Sequence, residues 1–555
     1  MYIDPSVGAL LGQLLVSTGV ALYLVLRRGY SKLHQFLTSD PSRGISGALI
    51  ALSFANLTLL RVWTDLFGFS ESDAFEMKAS PPWTHFAGAL VDLLVIALLI
   101  WPIVRQISRP DVIGTVCSAA LLALSAVPLN AMRDVVGARY FPMLRFGLVR
   151  AYGPLAVKVL CVLALVFAVA VIMRLGRQTC RVFCFLLLLT SPFALITTGQ
   201  ALWNFFSPPA AFAVSDAARA HRGHGRTSGS RVVWLLFDEM DQRITFEDRP
   251  RVLEMPEFDR LRSTAIYANA VHEAGENTDT AVTSLLTGRT VLRTRELGPA
   301  RLGLSFEGSP VESEFAETVH LFGRAGALGF SSAVAGWGMP YCRLFGRDLD
   351  HCWWCESVRP DNSIRAGLTG ATIDGLRSLL ETKNFSPFGQ SICLRQHIED
   401  VANLTREAIK LAINDDIDLA FLHLHGAHPP HVYDRQKRDF SLVNSPITGY
   451  PDSLALCDLT LGRLRLAMEQ RGLWDRTAVL VASDHRSRSS QVFDGKTDHR
   501  SIFILKMPGQ DRGVVFGRPM NAAVTGDLIL EILRGTVKSA EDANAWLVER
   551  TLPDK

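Results

Sequence analysis

Two hydrophobic patterns divide the chain near residue 206. Before this point, apolar stretches have the length of about 20 residues that a bilayer-spanning helix needs. Six such stretches are present: 6–27, 45–68, 86–106, 113–131, 154–173 and 182–205. The sequence therefore predicts an integral membrane domain of about six transmembrane helices over residues 1–206.

After residue 230, short apolar runs that are typical of buried strands alternate with amphipathic segments that are typical of helices. The predicted strands are Val232–Phe237, Ser331–Ala335, Leu419–Leu424, Ala478–Ala482 and Ile502–Leu505. The predicted helices are Glu257–Thr264, Ser313–Ala327, Asp400–Ile413 and Leu454–Gln470, with two closing helices after Met520. The alternation predicts an α/β domain with a mostly parallel sheet over 231–555. Residues 207–230, rich in Pro, Ala, Gly and Ser, read as a flexible linker.

Positive charge orients the predicted membrane domain. Basic residues follow the first, third and fifth stretches: Arg27, Arg28, Lys32, Arg105, Arg109, Arg174, Arg177 and Arg181. Cytoplasmic loops carry such residues, so six spans place residues 207–555 outside the cytoplasm. The Arg-rich loop after the fourth stretch breaks the rule, either as an ordinary exception or as a surface helix over Phe141–Tyr152 against anionic headgroups. The net charge of +3 is too weak to indicate a nucleic-acid partner.

Three cysteines lie close together as Cys342…Cys352-Trp-Trp-Cys355. They suit zinc ligands, a redox pair or a disulfide, and an extracytoplasmic location favours the disulfide. The surrounding segment, Pro340–Asp361, is either a disulfide-tied surface loop or a partial cover for a site. In the second case, aromatic rings would offer stacking faces for a sugar or lipid head group: Trp337, Tyr341, Trp353 and Trp354.

Candidate catalytic groups follow the predicted strands. Asp238 ends the first strand, and Ser483-Asp484-His485 ends another. Thr278 begins an apolar segment that reads as a helix ending at Gly288. Active sites of parallel sheets lie at the carboxyl ends of the strands, and free N–H groups at a helix start bind anions. Either Asp238 or Thr278 taken alone would also suit a helix N-cap.

These residue types fit metal-assisted nucleophilic chemistry. A threonine hydroxyl is a poor nucleophile near neutral pH and needs a base or a divalent metal ion. Asp and neutral His are suitable ligands for zinc or manganese. The segment Leu422-His-Leu-His-Gly-Ala-His-Pro-Pro-His431 adds four imidazoles within nine residues. Thr280 is the second candidate for the nucleophile.

Together these segments resemble the alkaline phosphatase superfamily in its sulfatase-like branch. Within it, they look most like the membrane-anchored phosphoethanolamine and phosphoglycerol transferases. Aligned on Leu-Leu-Thr-Gly, Thr278 falls at the position of the family's nucleophile. Sulfatases that use formylglycine carry Cys or Ser there, within Cys-x-Pro-x-Arg, so Thr-Asp-Thr-Ala-Val argues against that subclass. The resemblance covers roughly residues 231–510.

The resemblance implies roles for individual residues. The metal ligands would be Asp238, Thr278, Asp484 and His485. His428 and His499 would stabilise the transferring group, and a second metal ion or the phosphate would engage His423, His428, His499 and Asn277. Two departures from the family pattern stand out: Arg486 replaces the Gly of Ser-Asp-His-Gly, and Arg500-Ser501 replaces the Val-Pro that follows His499.

The resemblance also implies a function. A membrane phospholipid would donate its phospho-head-group to Thr278, and an envelope glycan or lipid would accept it. The enzyme would lie in a bacterial-type inner membrane, with its catalytic domain on the periplasmic side. A hydrolase that uses water as the acceptor is the alternative within this class. A non-enzymatic envelope scaffold is the alternative of another class, and retention of all four ligands argues against it.

Overall fold

Apolar helices form the first part of this computed structural model, and a central sheet forms the core of the second. The structure describes residues 44–67, 82–137, 176–207, 231–355, 367–380, 387–442, 449–487 and 495–551, with isolated positions elsewhere. Two compact units result. One comprises Met1–Ser70, Ala79–Phe212 and Arg359–Ile392, and the other comprises Glu71–Lys78, Ala213–Val358 and Cys393–Lys555. The first unit thus includes a segment, Arg359–Ile392, that the sequence analysis assigned to the catalytic domain.

The helical unit contains two helices that are long and apolar enough to cross a membrane, among the residues described. They are Trp83–Gln106 and Val112–Met132, the latter divided at Ser125. Gly176–Leu189 and Ser191–Phe206, bent by 44° at their junction, would together form a third span. Gly44–Thr58 is a shorter apolar helix, followed by Leu60–Phe67.

The helical unit also takes up part of the later chain, because Leu368–Leu380 packs against Trp83–Gln106. This helix lies so close that a side chain at Gly88 would meet Ala371. Two of the six predicted spans (6–27 and 154–173), the linker at 207–230 and the surface helix at 141–152 lie outside the described residues. The full six-span topology therefore stays a prediction.

An eight-stranded sheet forms the centre of the second unit. Its strands are β1 (Arg231–Phe237), β2 (Ile266–Ala268), β7 (Ser332–Trp337), β8 (His351–Cys355), β9 (Leu419–Leu424), β12 (Thr477–Ser483), β13 (Phe503–Lys506) and β14 (Val514–Phe516). Their order is β14-β2-β13-β12-β1-β9-β7-β8. Strand β13 pairs antiparallel with both neighbours, and the other pairs are parallel. The prediction of a mostly parallel α/β sheet is confirmed.

The short strands outside this sheet pair with one another. They are β3 (Val271–His272), β4 (Val291–Gly298), β5 (Arg301–Phe306), β6 (Glu312–Glu314), β10 (Tyr433–Asp434), β11 (Asp439–Phe440) and β15 (Met520–Asn521). Strands β4, β5 and β6 form an antiparallel sheet, β10 pairs with β11, and β15 pairs with β3.

Helices cover both faces of the central sheet. They are Pro256–Thr264, Thr278–Thr287, Leu321–Ala327, Tyr341–Phe345, Pro387–Ala412, Gly449–Gln470, Thr525–Arg534 and Ala540–Val548. Side chains alternate along β1, so Val232, Trp234 and Leu236 join one core while Val233, Leu235 and Phe237 join the other. All seven residues of β1 are buried, as expected for the centre of a sheet covered on both faces.

One helix prediction was wrong. Ser313–Ala327 is not a single helix, because Glu312–Glu314 pairs antiparallel with β5. Ion pairs tie this strand to the sheet, with 2.6 Å between Arg295 Nη2 and Glu312 Oε1, and 2.8 Å between Arg301 Nη2 and Glu314 Oε2. Cross-strand pairing therefore outweighs the local helical preference of this segment. A helix forms only later, over Leu321–Ala327.

Candidate active site

Register brings two carboxylates together at the carboxyl edge of the central sheet. Phe237, the last residue of β1, lies opposite Ser483, the last residue of β12. Asp238 and Asp484 follow these partners directly. Neighbouring strands lie about 4.8 Å apart, so the two carboxylates are neighbours. Both side chains are fully buried.

Strand β9, on the other side of β1, adds His423 to these carboxylates. Asp238, His423 and Asp484 each offer one ligand atom, and these atoms lie within 4.8 Å of one another. His423 Nε2 lies 4.0 Å from Asp484 Oδ2. Both atoms are buried, and neither has a hydrogen-bond partner among the described residues. Buried polar atoms normally have partners, so a cation at this position would satisfy them. The donor set fits a divalent metal ion.

His485 completes the cluster. Its Nε2 lies 3.7 Å from Asp238 Oδ1 and 3.4 Å from Asp484 Oδ2. Its Nδ1 lies 2.8 Å from the main-chain carbonyl of Arg486. Donation of the Nδ1 proton to this carbonyl leaves the lone pair of Nε2 facing the carboxylates, which is the usual orientation of a metal-binding histidine.

The threonine nucleophile was predicted at Thr278, and the structure brings this residue to the cluster. Thr278 is the first residue of the helix Thr278–Thr287, and its Oγ1 lies 3.4 Å from His485 Nε2. Asn277 is the N-cap, so Thr278 itself is not the cap. The hydroxyl of Thr280 is engaged instead with the backbone of Asn277, accepting from its N–H at 3.3 Å and donating to its carbonyl at 3.0 Å. This difference favours Thr278 over Thr280.

Backbone geometry at the site explains the glycine in the Leu-His-Leu-His-Gly segment. Gly426 has φ of +55°, a conformation that costs other residues free energy. A Cβ at this position would also collide with the backbone of Asp238. Ala427 N–H donates to the Asp238 carbonyl at 2.8 Å. The chain after β9 therefore lies directly against the residue that bears the first carboxylate.

Glu239 is strained and buried beside the cluster. It has φ of +54°, unusual for a residue with a side chain. Its N–H donates to Asp484 Oδ1 at 3.1 Å, and the Tyr450 hydroxyl donates to its carbonyl at 3.0 Å. His485 N–H also donates to Asp484 Oδ1, at 2.7 Å. The strained turn thus orients Asp484, with Oδ1 held by two N–H groups and Oδ2 directed toward the histidines.

The remaining histidines take different positions. His428 Nε2 lies 4.0 Å from Glu239 Oε1, and its ring packs against Trp337. His425 lies between Trp337 and His397, tilted against the first ring and edge-on to the second, with ring centroids 3.7 Å and 4.0 Å away. Burial lowers the pKa of His423 to about 4, against the opposing effect of Asp484, and lowers that of His397 to about 3. Both rings are therefore neutral at pH 7. A neutral ring is what metal binding requires of the candidate ligand His423.

His499 lies in a second cluster, with Glu273 and Arg486. Its Nδ1 is 2.8 Å from Glu273 Oε1 and its side chain is 55% exposed. Glu273 also accepts from the main-chain N–H of Arg486 at 3.0 Å and pairs with its guanidinium group. This pairing explains how the chain accommodates Arg486 after His485. Sequence reasoning missed Glu273, because no motif includes it.

The alternative in which the segment after Pro340 forms an aromatic cover for the site fails for two of its four rings. Tyr341 and Trp354 are buried in the core, with exposures of 0% and 2%, so they offer no stacking face. Trp353 and Trp354 belong to the edge strand β8. The disulfide itself is confirmed, between Cys342 and Cys352, while Cys355 is buried and is not part of this disulfide. Trp337 does lie beside the site, against His425 and His428.

Comparison with known proteins identifies the family. The sulfatase family model matches residues 230–513, more than half of the chain. The chain belongs to the sulfatase family. It is therefore an enzyme of the sulfatase-like class within the alkaline phosphatase superfamily, whose members use divalent metal ions. No curated protein sequence matches the chain significantly.

Solved structures of low sequence identity are similar to part of this chain. A phosphonate monoester hydrolase from Silicibacter pomeroyi is 14% identical, with a TM-score of 0.37 over 55% of this chain and 73% of its own. The lipoteichoic acid synthase LtaP from Listeria monocytogenes is 13% identical, with a TM-score of 0.34 over 57% and 76%. An alkaline phosphatase superfamily protein from Vibrio parahaemolyticus is 12% identical, with a TM-score of 0.36 over 56% and 67%.

Proposed function

We propose that the chain transfers a phospho-head-group, of the phosphoethanolamine or phosphoglycerol type, from a membrane phospholipid to an envelope glycan or lipid. The observation that carries the proposal is the position of Thr278. Its hydroxyl lies 3.4 Å from His485 Nε2, at the start of a helix and beside the buried carboxylates. A helix N-terminus favours the phosphate anion, so the nucleophile and the binding site for its target coincide.

The residues that would hold a metal ion are Asp238, Asp484, His485 and Thr278, with His423 as a further ligand. A divalent ion here, zinc or manganese, would lower the pKa of the threonine hydroxyl and neutralise charge on the phosphate. Thr278 Oγ would attack the phosphorus of the donor, and the bond from phosphorus to the lipid oxygen would break. The leaving diacylglycerol oxygen takes up a proton. The product is a phospho-threonine that carries the head group.

In the second half of the reaction, Thr278 becomes the leaving group. An acceptor hydroxyl would attack the phosphorus, lose its proton and release Thr278. His428, whose ring packs against Trp337 and whose Nε2 lies 4.0 Å from Glu239 Oε1, would contact the transferring group. His499 is the weaker candidate, because its contacts are with Glu273 and Arg486. A second metal ion held by His428 or His499 stays part of the proposal, and so does an interaction of Asn277 with the phosphate. His423 is no longer a candidate for that second ion, because Nε2 belongs to the first cluster and Nδ1 contacts Tyr341.

The apolar helices support a membrane location for this reaction. Two helices could cross a membrane, and the Cys342–Cys352 disulfide suits an oxidising compartment. We therefore infer a multi-pass protein of the inner membrane with a periplasmic catalytic domain over 231–358 and 393–555, since Arg359–Ile392 belongs to the helical unit. Reporter fusions at about residue 220 should be active only as exported reporters. Activity of a cytoplasmic reporter at that position would contradict the inferred orientation.

A hydrolase that acts on an envelope ester is the second candidate. It is favoured by one observation: Tyr341 and Trp354 are core residues, so the aromatic cover that would keep water from the intermediate lacks two predicted members. Donor lipid incubated with and without glycan acceptors distinguishes the two. A transferase gives modified acceptor, whereas a hydrolase releases head-group phosphate at the same rate without any acceptor.

Mass spectrometry of the Thr278 peptide tests the proposal directly. After incubation of the purified full chain with membrane lipids, the peptide should gain the mass of phosphoethanolamine or phosphoglycerol. The Thr280→Ala variant should show the same gain, because Thr280 engages the backbone. An unmodified Thr278 peptide with continued turnover would refute the covalent mechanism.

A further inference from the structure

Tyr341 makes a buried hydrogen bond to one of the candidate metal ligands. Its hydroxyl oxygen lies 2.6 Å from His423 Nδ1, and both side chains are fully buried. The other ring nitrogen of His423, Nε2, is directed toward Asp484 Oδ2 at 4.0 Å. The two nitrogens therefore have separate environments: one contacts a neutral hydroxyl group and the other faces the cluster of carboxylates.

Several contacts fix the position of Tyr341. Its ring packs against Phe421 and Phe345, with ring centroids 5.8 Å and 6.1 Å away. Gly336 makes room for it, since a Cβ there would collide with the tyrosine ring. The next residue, Cys342, is bonded to Cys352 on the edge strand β8. A side chain held in this way has little freedom to adjust, so it can define where a neighbouring imidazole lies.

We propose that Tyr341 is a positioning residue for the metal site, which fixes His423 so that Nε2 faces the carboxylates of Asp238 and Asp484. In the metal-bound state the proton of the neutral imidazole would reside on Nδ1 and be donated to the tyrosine oxygen. The lone pair of Nε2 is then directed at the metal position. Partners that orient a ligand histidine in this way typically contribute a factor of about 10–100 to metal affinity.

This inference rests on the proposed function, because it assumes that the cluster binds a divalent metal ion. The test uses the full chain in detergent and measures zinc affinity by competition with a chromophoric chelator. Tyr341→Phe keeps the ring and removes the hydroxyl, and we expect zinc affinity to fall about 10–100-fold. Affinity within about threefold of the unmodified protein would overturn the inference.

A matched control comes from Tyr267, which is also buried and whose hydroxyl accepts a 2.6 Å hydrogen bond from Gln242 Nε2. Tyr267→Phe removes a hydroxyl of the same kind from a residue that does not contact His423. We expect its zinc affinity to stay within about twofold of the unmodified protein, while its unfolding temperature in chelator falls as much as that of Tyr341→Phe. An equal loss of zinc affinity in both variants would show a general structural effect and overturn the inference.

A double-variant cycle tests whether Tyr341 acts through His423. In the His423→Gln background the imidazole is absent, so Tyr341→Phe should change zinc affinity by less than about twofold. A loss there as large as in the unmodified background would show that Tyr341 acts by another route. If the unmodified chain binds no zinc or manganese, the proposed function itself fails. If it binds metal and Tyr341→Phe has no effect, only the present inference fails.

Discussion

Replacing Asp484 by Asn should change stability in opposite directions with and without metal. Asp484 and Asp238 are fully buried, with ligand atoms within 4.8 Å of one another. At an effective dielectric constant of about 20, two charges at this distance repel by about 3.5 kcal/mol. The amide removes this repulsion. It weakens the two hydrogen bonds from Glu239 N–H and His485 N–H to Oδ1, at a cost of about 1 kcal/mol, because bonds to a neutral oxygen are weaker.

The metal-free variant should therefore be more stable by about 2 kcal/mol, a rise of roughly 4 °C in unfolding temperature for a domain of this size. With metal bound, the Asp484→Asn variant should instead be less stable than the unmodified protein. A ligand that is 1,000-fold above its Kd stabilises the folded state by about 4.1 kcal/mol. Each tenfold loss of affinity removes about 1.4 kcal/mol of this stabilisation. Loss of a carboxylate ligand should cut the metal-induced shift of the variant to less than half.

The assay is thermal unfolding of the detergent-solubilised full chain at pH 8, with chelator or with zinc. Asp458→Asn is the matched control, because Asp458 Oδ1 likewise accepts two main-chain N–H groups, from Glu257 and Phe258 at 3.0 Å and 2.9 Å. The control should shift the unfolding temperature equally in both conditions. If Asp484→Asn lowers the unfolding temperature in chelator as well, the carboxylate acts mainly as a hydrogen-bond acceptor, and the reasoning from repulsion is refuted.

Three further predictions concern the nucleophile, the glycine turn and pH. Thr278→Ala should reduce turnover by at least about 10³-fold, as loss of a nucleophile does, whereas Thr280→Ala should cost only about 1 kcal/mol of stability; the reverse outcome in lipid-turnover assays would reassign the nucleophile. Gly426→Ala should lower the free energy of unfolding by more than about 2 kcal/mol and weaken zinc binding. Gly472 has φ of +62° and open space around it, so the control Gly472→Ala should lower the free energy of unfolding by about 1–2 kcal/mol and leave zinc binding unchanged. Burial lowers the pKa of His397 to about 3, so below pH 6.5 the unfolded chain binds a proton that the folded chain does not, and the free energy of unfolding falls by up to about 1.4 kcal/mol per pH unit. Denaturation measured from pH 7 to pH 4.5 should therefore show a smaller loss of stability in His397→Gln than in the unmodified protein. An equal loss in both proteins would refute the argument.

The strands and helices of the catalytic domain were predictable where the local pattern of apolar residues alone determines the secondary structure. The strand Leu419–Leu424 was predicted at its observed bounds, and β1 differs by one residue from its prediction. The positions of Asp238 and Asp484 followed, because parallel strands present their carboxyl ends at one edge. The prediction of a helix over Ser313–Ala327 failed because its first residues belong to strand β6, which pairs with β5, whose partner residues lie 7–11 positions earlier in the chain. No local pattern contains that information.

The roles of single side chains were less accessible. His423 and His425 are two residues apart in the same segment, yet His423 joins the carboxylates while His425 packs against Trp337 and His397. Strand β9 ends at Leu424, between the two histidines, so His423 lies within the strand and His425 lies in the loop that follows it. Tyr341 was expected to offer a surface for a head group. It is buried because Gly336 on β7 leaves room for its ring, a packing relation that the sequence does not display.

Because the carboxylates of the cluster are buried, the stability of the folded domain would depend on whether metal is bound. The carboxylates of Asp238 and Asp484 have no exposure to water, and isolation of like charges in a protein interior is costly. The sheet register nevertheless places them side by side, and the strained turn at Glu239 holds one of them with two N–H donors. A cation bound between the two carboxylates would offset their repulsion and stabilise the folded domain. In the proposed function the same cation would lie beside the hydroxyl of Thr278, so the interaction that stabilises the folded domain would also activate the proposed nucleophile.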